Sequence, residues 1–172
     1  KHNNCGLRAD GSVECWGDNQ WGQGTPPDEV FVSVSAGFLH SCGILINGSL
    51  SCWGTESWGL TSPPTGSFTM VAAGGDHACA IRSDGSVACW GADGDNKTNP
   101  PGGAFETISA GRTNTCGLRA NGDVECWGYD ANGQSSPPSG AFHAIAPGHW
   151  HSCGLRADGT AECWGGEGQG IQ

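Results

Sequence analysis

Positive charge is scarce in this sequence: 7 Lys and Arg stand against 17 Asp and Glu, giving a formal net charge of −10 at pH 7. Such a balance repels phosphate backbones and argues against nucleic acid as a partner. No apolar run approaches the roughly 20 residues that a helix needs to cross a bilayer, so no membrane insertion is expected. No leader pattern opens the chain, and a secreted reading therefore takes it as mature or excised. Catalytic signatures are missing too. There is no Gly-x-Ser-x-Gly elbow, no phosphate-cradling Gly-x-x-x-x-Gly-Lys-Ser/Thr loop, and no carboxylate pair standing apart from the surrounding pattern. The expectation is a protein without enzymatic activity and without a cofactor. Met and Tyr occur once each, and no segment carries a convincing helical period.

What the chain has instead is glycine (31 of 172 residues), 9 prolines, 10 cysteines and 8 tryptophans. These residues fall on one beat. The run Cys5-Gly-Leu-Arg-Ala-Asp-Gly-Ser-Val-Glu-Cys15-Trp16-Gly17 returns from Cys42, Cys79, Cys116 and Cys153, always 37 residues on and without insertion or deletion. Phe31, Phe68, Phe105 and Phe142 open an alternating stretch that closes on Gly37, Gly74, Gly111 and Gly148. Proline pairs at Pro26, Pro63, Pro100 and Pro137 punctuate the far end. Fixed-period repetition of this kind signals a repeat architecture.

Each unit reads as short strands. The Phe-led stretch has period 2, as in Phe31-Val32-Ser33-Val34-Ser35-Ala36 or Phe105-Glu106-Thr107-Ile108. The two segments joining the cysteines form a hairpin, and a short fourth strand before the prolines is an open expectation. A two-residue Asp-Gly turn would leave Cys5 opposite Trp16. A three-residue loop, Ala9-Asp10-Gly11, instead sets Leu7 against Val13 and Cys5 against Cys15, with Gly in the left-handed position. Directly opposed residues are close enough for a disulfide. Five local bridges are thus expected: Cys5–Cys15, Cys42–Cys52, Cys79–Cys89, Cys116–Cys126 and Cys153–Cys163. Closing each small loop contributes about 3 kcal/mol in the chain-entropy account. Zinc is the rival reading, but zinc pairs stand two to four residues apart, not ten across a tight turn. Disulfides imply an oxidising compartment, so the expected location is extracellular, secreted or at the cell surface.

The pattern Phe-x-x-(Val/Ile)-(Ser/Ala)-Ala-Gly, then His-x-Cys-Gly-Leu, Asp-Gly, Trp-Gly and a trailing Gly-Gln resembles the repeat of the regulator of chromosome condensation family. The cysteine version, ending in Cys-Trp-Gly, is similar to the ectodomain repeats of crinkly-type receptor kinases and to the bacterial propeller-type β-lactamase inhibitor protein. The resemblance implies an all-β fold, a β-propeller-like array of five 37-residue repeats that is either an incomplete ring or part of a larger propeller. Nucleotide exchange on chromatin, the founding member's activity, is not carried over, because this chain is acidic, cystine-rich and lacks any long insertion. The expected division is one repeat domain, 1–172, with units near 1–30, 31–67, 68–104, 105–141 and 142–172. Five full units would need 185 residues, and one Phe-led strand is wanting after Gln172. An open strand edge would invite further copies of the same chain. Self-assembly into an extracellular filament or matrix is accordingly the alternative to binding a protein or glycan ligand.

Positions that vary between units are where recognition is expected. One variable stretch precedes each hairpin: Lys1-His2-Asn3, Phe38-Leu39-His40, Gly75-Asp76-His77, Arg112-Thr113-Asn114 and His149-Trp150-His151. The other follows Cys-Trp-Gly, from Asp18, Thr55, Ala92 and Tyr129, with Glu167-Gly168-Gln169 in the last unit. Trp21, Trp58 and Trp150 are the leading binding candidates, with His149 and Tyr129 beside them; their plain alternative is packing on the next unit. Asn19, Glu56, Asp93, Asp130 and Glu167 share one phase and read as solvated surface. Asp93-Gly94-Asp95-Asn96 lacks the remaining ligands of a calcium loop, and His149-x-His151 lacks a third metal ligand. Arg8 with Glu14, Arg119 with Glu125 and Arg156 with Glu162 read as cross-strand pairs. Asn96 and Asn47 are candidate glycosylation acceptors, in Asn-Lys-Thr and Asn-Gly-Ser.

Overall fold

The computed structural model describes residues 3–166. Lys1, His2, Glu167, Gly168, Gln169 and Gln172 lie outside these described residues. The strands form a two-stranded sheet, β1 (Asn3–Leu7) with β2 (Val13–Gly17), and four three-stranded antiparallel sheets. These are β3 (Phe31–Ala36), β4 (His40–Leu45) and β5 (Leu50–Gly54); β6 (Phe68–Ala73), β7 (His77–Arg82) and β8 (Val87–Gly91); β9 (Thr107–Ala110), β10 (Asn114–Leu118) and β11 (Val124–Gly128); and β12 (Phe142–Pro147), β13 (His151–Arg156) and β14 (Ala161–Gly165). Each sheet is one blade of the propeller-like array, with the Phe-led strand paired to the first hairpin strand.

The hairpins have the expected register. Cys5 faces Cys15 and Leu7 faces Val13, and the same pairing recurs in every blade. The Arg8 amide donates to the Ser12 carbonyl and the Gly11 amide to the Arg8 carbonyl, closing a three-residue loop around Gly11 at φ 85°. A left-handed residue is needed there, and glycine takes that conformation without steric cost. All five disulfides join cysteines ten residues apart, with Cα atoms 4.0–4.1 Å apart. Three Phe-led strands slip register just after the phenylalanine, at Phe31, Phe68 and Phe142. Phe105 differs slightly from expectation: it lies just before β9, which begins at Thr107.

No fourth strand forms among the described residues. The segment after Trp-Gly instead makes hydrogen-bonded loops, tightened into 3-10 turns at Ser57–Gly59 and Gly94–Asn96. Residues placed here as a strand are too rich in glycine and local side-chain acceptors to join a ladder.

The core is a series of seams between consecutive blades. Cys42 and Ile44 of one blade pack against Phe68, Val71 and Trp90 of the next. Ile81 and Cys79 meet Phe105, Ile108 and Trp127, and Cys116 and Leu118 meet Phe142 and Trp164. Trp53, Trp90, Trp127 and Trp164 are buried. Trp53, Trp90 and Trp164 each donate Nε1–H to a carbonyl in the preceding unit, at Gln23, Leu60 and Gln134. Around the axis, Gly37, Gly74, Gly111 and Gly148 let successive blades touch backbone to backbone: a Cβ on Gly37 would sit 2.4 Å from the Gly74 carbonyl oxygen.

Candidate functional site

The hairpin register decides where the variable residues go. His40 pairs with Gly54, so the residues just before β4 and just after β5 are neighbours at the open end of the hairpin. The Thr55 amide donates to the Leu39 carbonyl, Ala92 to Asp76, and Tyr129 to Thr113. Both variable stretches therefore share one face of the array, opposite the Asp-Gly turns.

That face carries two connected hollows. A cavity of about 320 Å³ sits over the axis, floored by Gly37, Gly74, Gly111 and Gly148 and walled by Phe38, Arg112 and His149. Beside it, a groove of about 240 Å³ is lined by Phe38, Leu39, Trp58, Asp76, Arg112 and Thr113. The Arg112 guanidinium lies 4.9 Å over the Phe38 ring, and both residues line both hollows. Trp58 is 60 % exposed and takes φ 56°, a left-handed conformation that a bulky residue adopts only at a cost.

A second aromatic group joins three of the sequence candidates. His149 stacks on Trp150 with centroids 4.1 Å apart, and Tyr129 meets Trp150 edge-on at 6.3 Å. Partial burial, then the charge of Arg112, lowers the His149 pKa. Trp21 occupies the same phase as Trp58 one blade earlier and is 52 % exposed. None of the three tryptophans in the variable loops is buried between blades.

Other candidates have local duties. The Oδ1 atoms of Asn19, Asp93 and Asp130 accept the amides of Gly24, Thr98 and Ser135, so these three side chains clamp their own loops. The Asp93 carboxylate also accepts the Thr98 hydroxyl, which accounts for its lowered pKa. His149 is engaged by Trp150, while the His151 ring lies under Gly148. No group of three or more His, Cys, Asp or Glu able to hold a metal occurs among the described residues. Asn96 is exposed, at φ 58°, in its 3-10 turn, and the Asn47 Oδ1 accepts both the amide and the hydroxyl of Ser49. Arg8, Arg119 and Arg156 pair with Glu14, Glu125 and Glu162 across their hairpins.

Phe38, Leu39 and Arg112 fall in the variable stretch before each hairpin, where recognition is expected, but the sequence ranked the aromatic residues of the loops above them. Sequence reasoning also passed over a buried polar ladder between blades. The Asn3 side chain donates to Ser41 Oγ and to the Gln23 carbonyl of its own unit. Asn114 repeats this with Ser152 and Gln134, and His77 meets Thr115. Beside His77, the Lys97 ammonium sits 2.8 and 2.9 Å from the Asp76 carboxylate. Burial works to raise the Asp76 pKa, but the His77 ring and Lys97 override it and hold it at about 2.

Three segments, 31–57, 69–96 and 105–134, match the regulator of chromosome condensation repeat. The repeat's pattern thus occupies three of the five units, close to half of the chain. Its structure is similar to the entire ectodomain of the receptor kinase CR4 from Physcomitrella patens, with 26 % identity and a TM-score of 0.83 over 98 % of this chain and 51 % of that one. It is also similar to the CRINKLY WD40 ectodomain of the Arabidopsis thaliana receptor kinase ACR4, at 30 % identity and TM-score 0.80, covering 95 % of this chain and 62 % of that one. Prp20p of Saccharomyces cerevisiae shares the fold at 18 % identity and TM-score 0.81, over 95 % of this chain and 55 % of that one. The chain thus spans between half and two thirds of the length of these structures. No curated protein sequence matches it significantly.

Proposed function

We propose that this chain is an extracellular, non-enzymatic binding module that recognises a protein or glycan through the variable loops at the open end of its hairpins. The observation that carries the reading is the exposure of Trp58 and Trp150, at 60 % and 42 %, on loops held by a disulfide-stapled scaffold. Exposed indoles are unfavourable without a partner and offer rigid contact area to one. Similarity to two receptor kinase ectodomains and the five disulfides support the extracellular setting.

The test uses ligands selected from a displayed cyclic-peptide library and from a glycan array against the intact chain. Trp58→Ala and Trp150→Ala should each weaken the selected ligands at least tenfold while moving the melting temperature by no more than a few degrees. Ligands indifferent to both substitutions would remove the loops from the recognition surface. So would a stability loss of about 3 kcal/mol or more, the size expected for a buried aromatic.

A further inference from the structure

We infer that the groove between Phe38 and Trp58 is a docking site for a loop of a partner protein, one that presents a single carboxylate to Arg112 and an apolar side chain to the groove. This inference rests on the reading of this face as the recognition surface.

The first argument concerns uncommitted charge. Arg8, Arg119 and Arg156 are bonded to glutamates, Lys97 to Asp76, and Arg82 to the Thr65 carbonyl. Arg112 alone among the described cations has no ion pair and no acceptor for its guanidinium, only the face of Phe38. A guanidinium stacked on an aromatic ring keeps its in-plane N–H donors free, and their fork matches a carboxylate.

The second argument concerns shape and lining. About 240 Å³ admits one or two side chains. Three of the six lining side chains, Phe38, Leu39 and Trp58, are apolar. Of the polar three, Asp76 is held by Lys97 and the Thr113 hydroxyl reaches the His149 carbonyl. Little remains to read the many hydroxyls of a sugar, so the groove favours a peptide loop. The left-handed Trp58 sets the wall of that groove at an energetic cost, a pattern characteristic of functional sites.

The third argument limits the partner. The chain carries −10, which repels an acidic surface at long range. Screening confines that repulsion to about 8–10 Å at physiological ionic strength, so one carboxylate in an otherwise neutral or basic loop is the occupant that both fields accept.

The probe is the set of cyclic peptides selected on the intact chain, together with oligogalacturonate as an anionic glycan and cellohexaose as a neutral one. Selected peptides should carry Asp or Glu next to an apolar residue. Arg112→Gln should weaken them at least tenfold with the melting temperature unchanged, and Arg112→Lys should give an intermediate loss. Replacing the peptide carboxylate by its amide should cost as much in the parent chain and add almost nothing in Arg112→Gln. Peptides that lack an acid, or that ignore Arg112→Gln while remaining sensitive to Trp150→Ala, would overturn this assignment and leave the loop-face reading standing. An oligosaccharide that binds more tightly than any peptide in an Arg112-dependent manner would also overturn it, naming a glycan in place of a protein. No selected peptide at all would overturn this assignment alone, whereas peptides and oligosaccharides that all ignore Arg112, Trp58 and Trp150, or the lack of any binder of either kind, would remove both readings.

Discussion

Gln23 and Gln134 show how one side chain sets a loop. Their Oε1 atoms accept the amides of Trp21 and Asn132, while their carbonyls receive the indoles of the next unit. Leu60 and Lys97 hold the same phase without an amide side chain. In their loops Trp58 and Asp95 turn left-handed, at φ 56° and 62°. Trp58 thus sits where the backbone would prefer glycine. Trp58→Gly should raise stability by about 1 kcal/mol in urea denaturation by relieving that strain, and should abolish the binding that depends on the groove wall. A loss of stability instead would mean that the indole is held for packing. At this scale the sequence was partly legible. Tyr129, His149 and Trp150 were singled out as departures from the repeat, and they meet in one cluster. Arg112 stood in a variable stretch but was not ranked among the candidates, because an arginine is ordinary in a sequence. Its lack of an acceptor exists only in three dimensions.

The hairpin is the element most completely written in the sequence. Turn chemistry fixes Gly11, the turn fixes the register, and the register brings the cysteines together. Contacts between blades were less legible, because they pair residues far apart in the chain, 30 positions in the Trp53 indole bond and 38 in the Asn3–Ser41 bond, that no local pattern links. His40 is the exception in the polar ladder. It is fully buried, and both ring nitrogens lack partners, since Ala78 stands where the neighbouring seams have Ser41, Thr115 and Ser152. Burial, then the neighbouring His77, lowers the His40 pKa to about 4, with Asp76 opposing weakly. The unfolded chain therefore binds more protons between pH 6.5 and 4. Stability is fully present above the ordinary histidine pKa and declines as pH falls through that window, by about 3 kcal/mol in all. Ala78→Ser should supply the missing hydroxyl and raise stability near pH 7 by about 1 kcal/mol. Urea midpoints across pH 4–7, for the parent and for Ala78→Ser, would check both. A flat profile in the parent would contradict the burial of an unpartnered imidazole.

For the whole molecule, the covalent links follow the chain order: every disulfide lies inside one hairpin and none joins two blades. Blade-to-blade cohesion rests on the Phe and Trp seams and on the ladder. This separation was legible from the ten-residue cysteine spacing, whereas the close backbone approach of Gly37 to Gly74 and of Gly111 to Gly148 was not. Under tension the same separation makes the molecule a string of equal links, each able to pay out only part of its length. With its cystine intact a unit of 37 residues can extend by about 100 Å, because the ten-residue loop is bypassed, and by about 130 Å after reduction. Pulling on the ends of the 172-residue chain with optical tweezers should therefore give a sawtooth of near-uniform steps, each lengthening by about 30 Å when a reductant is added. Steps that do not change on reduction would show that the crosslinks lie elsewhere. In the oxidised state, a tug that parts two blades leaves each hairpin closed, so the array can yield at its seams and reseal without unravelling its links.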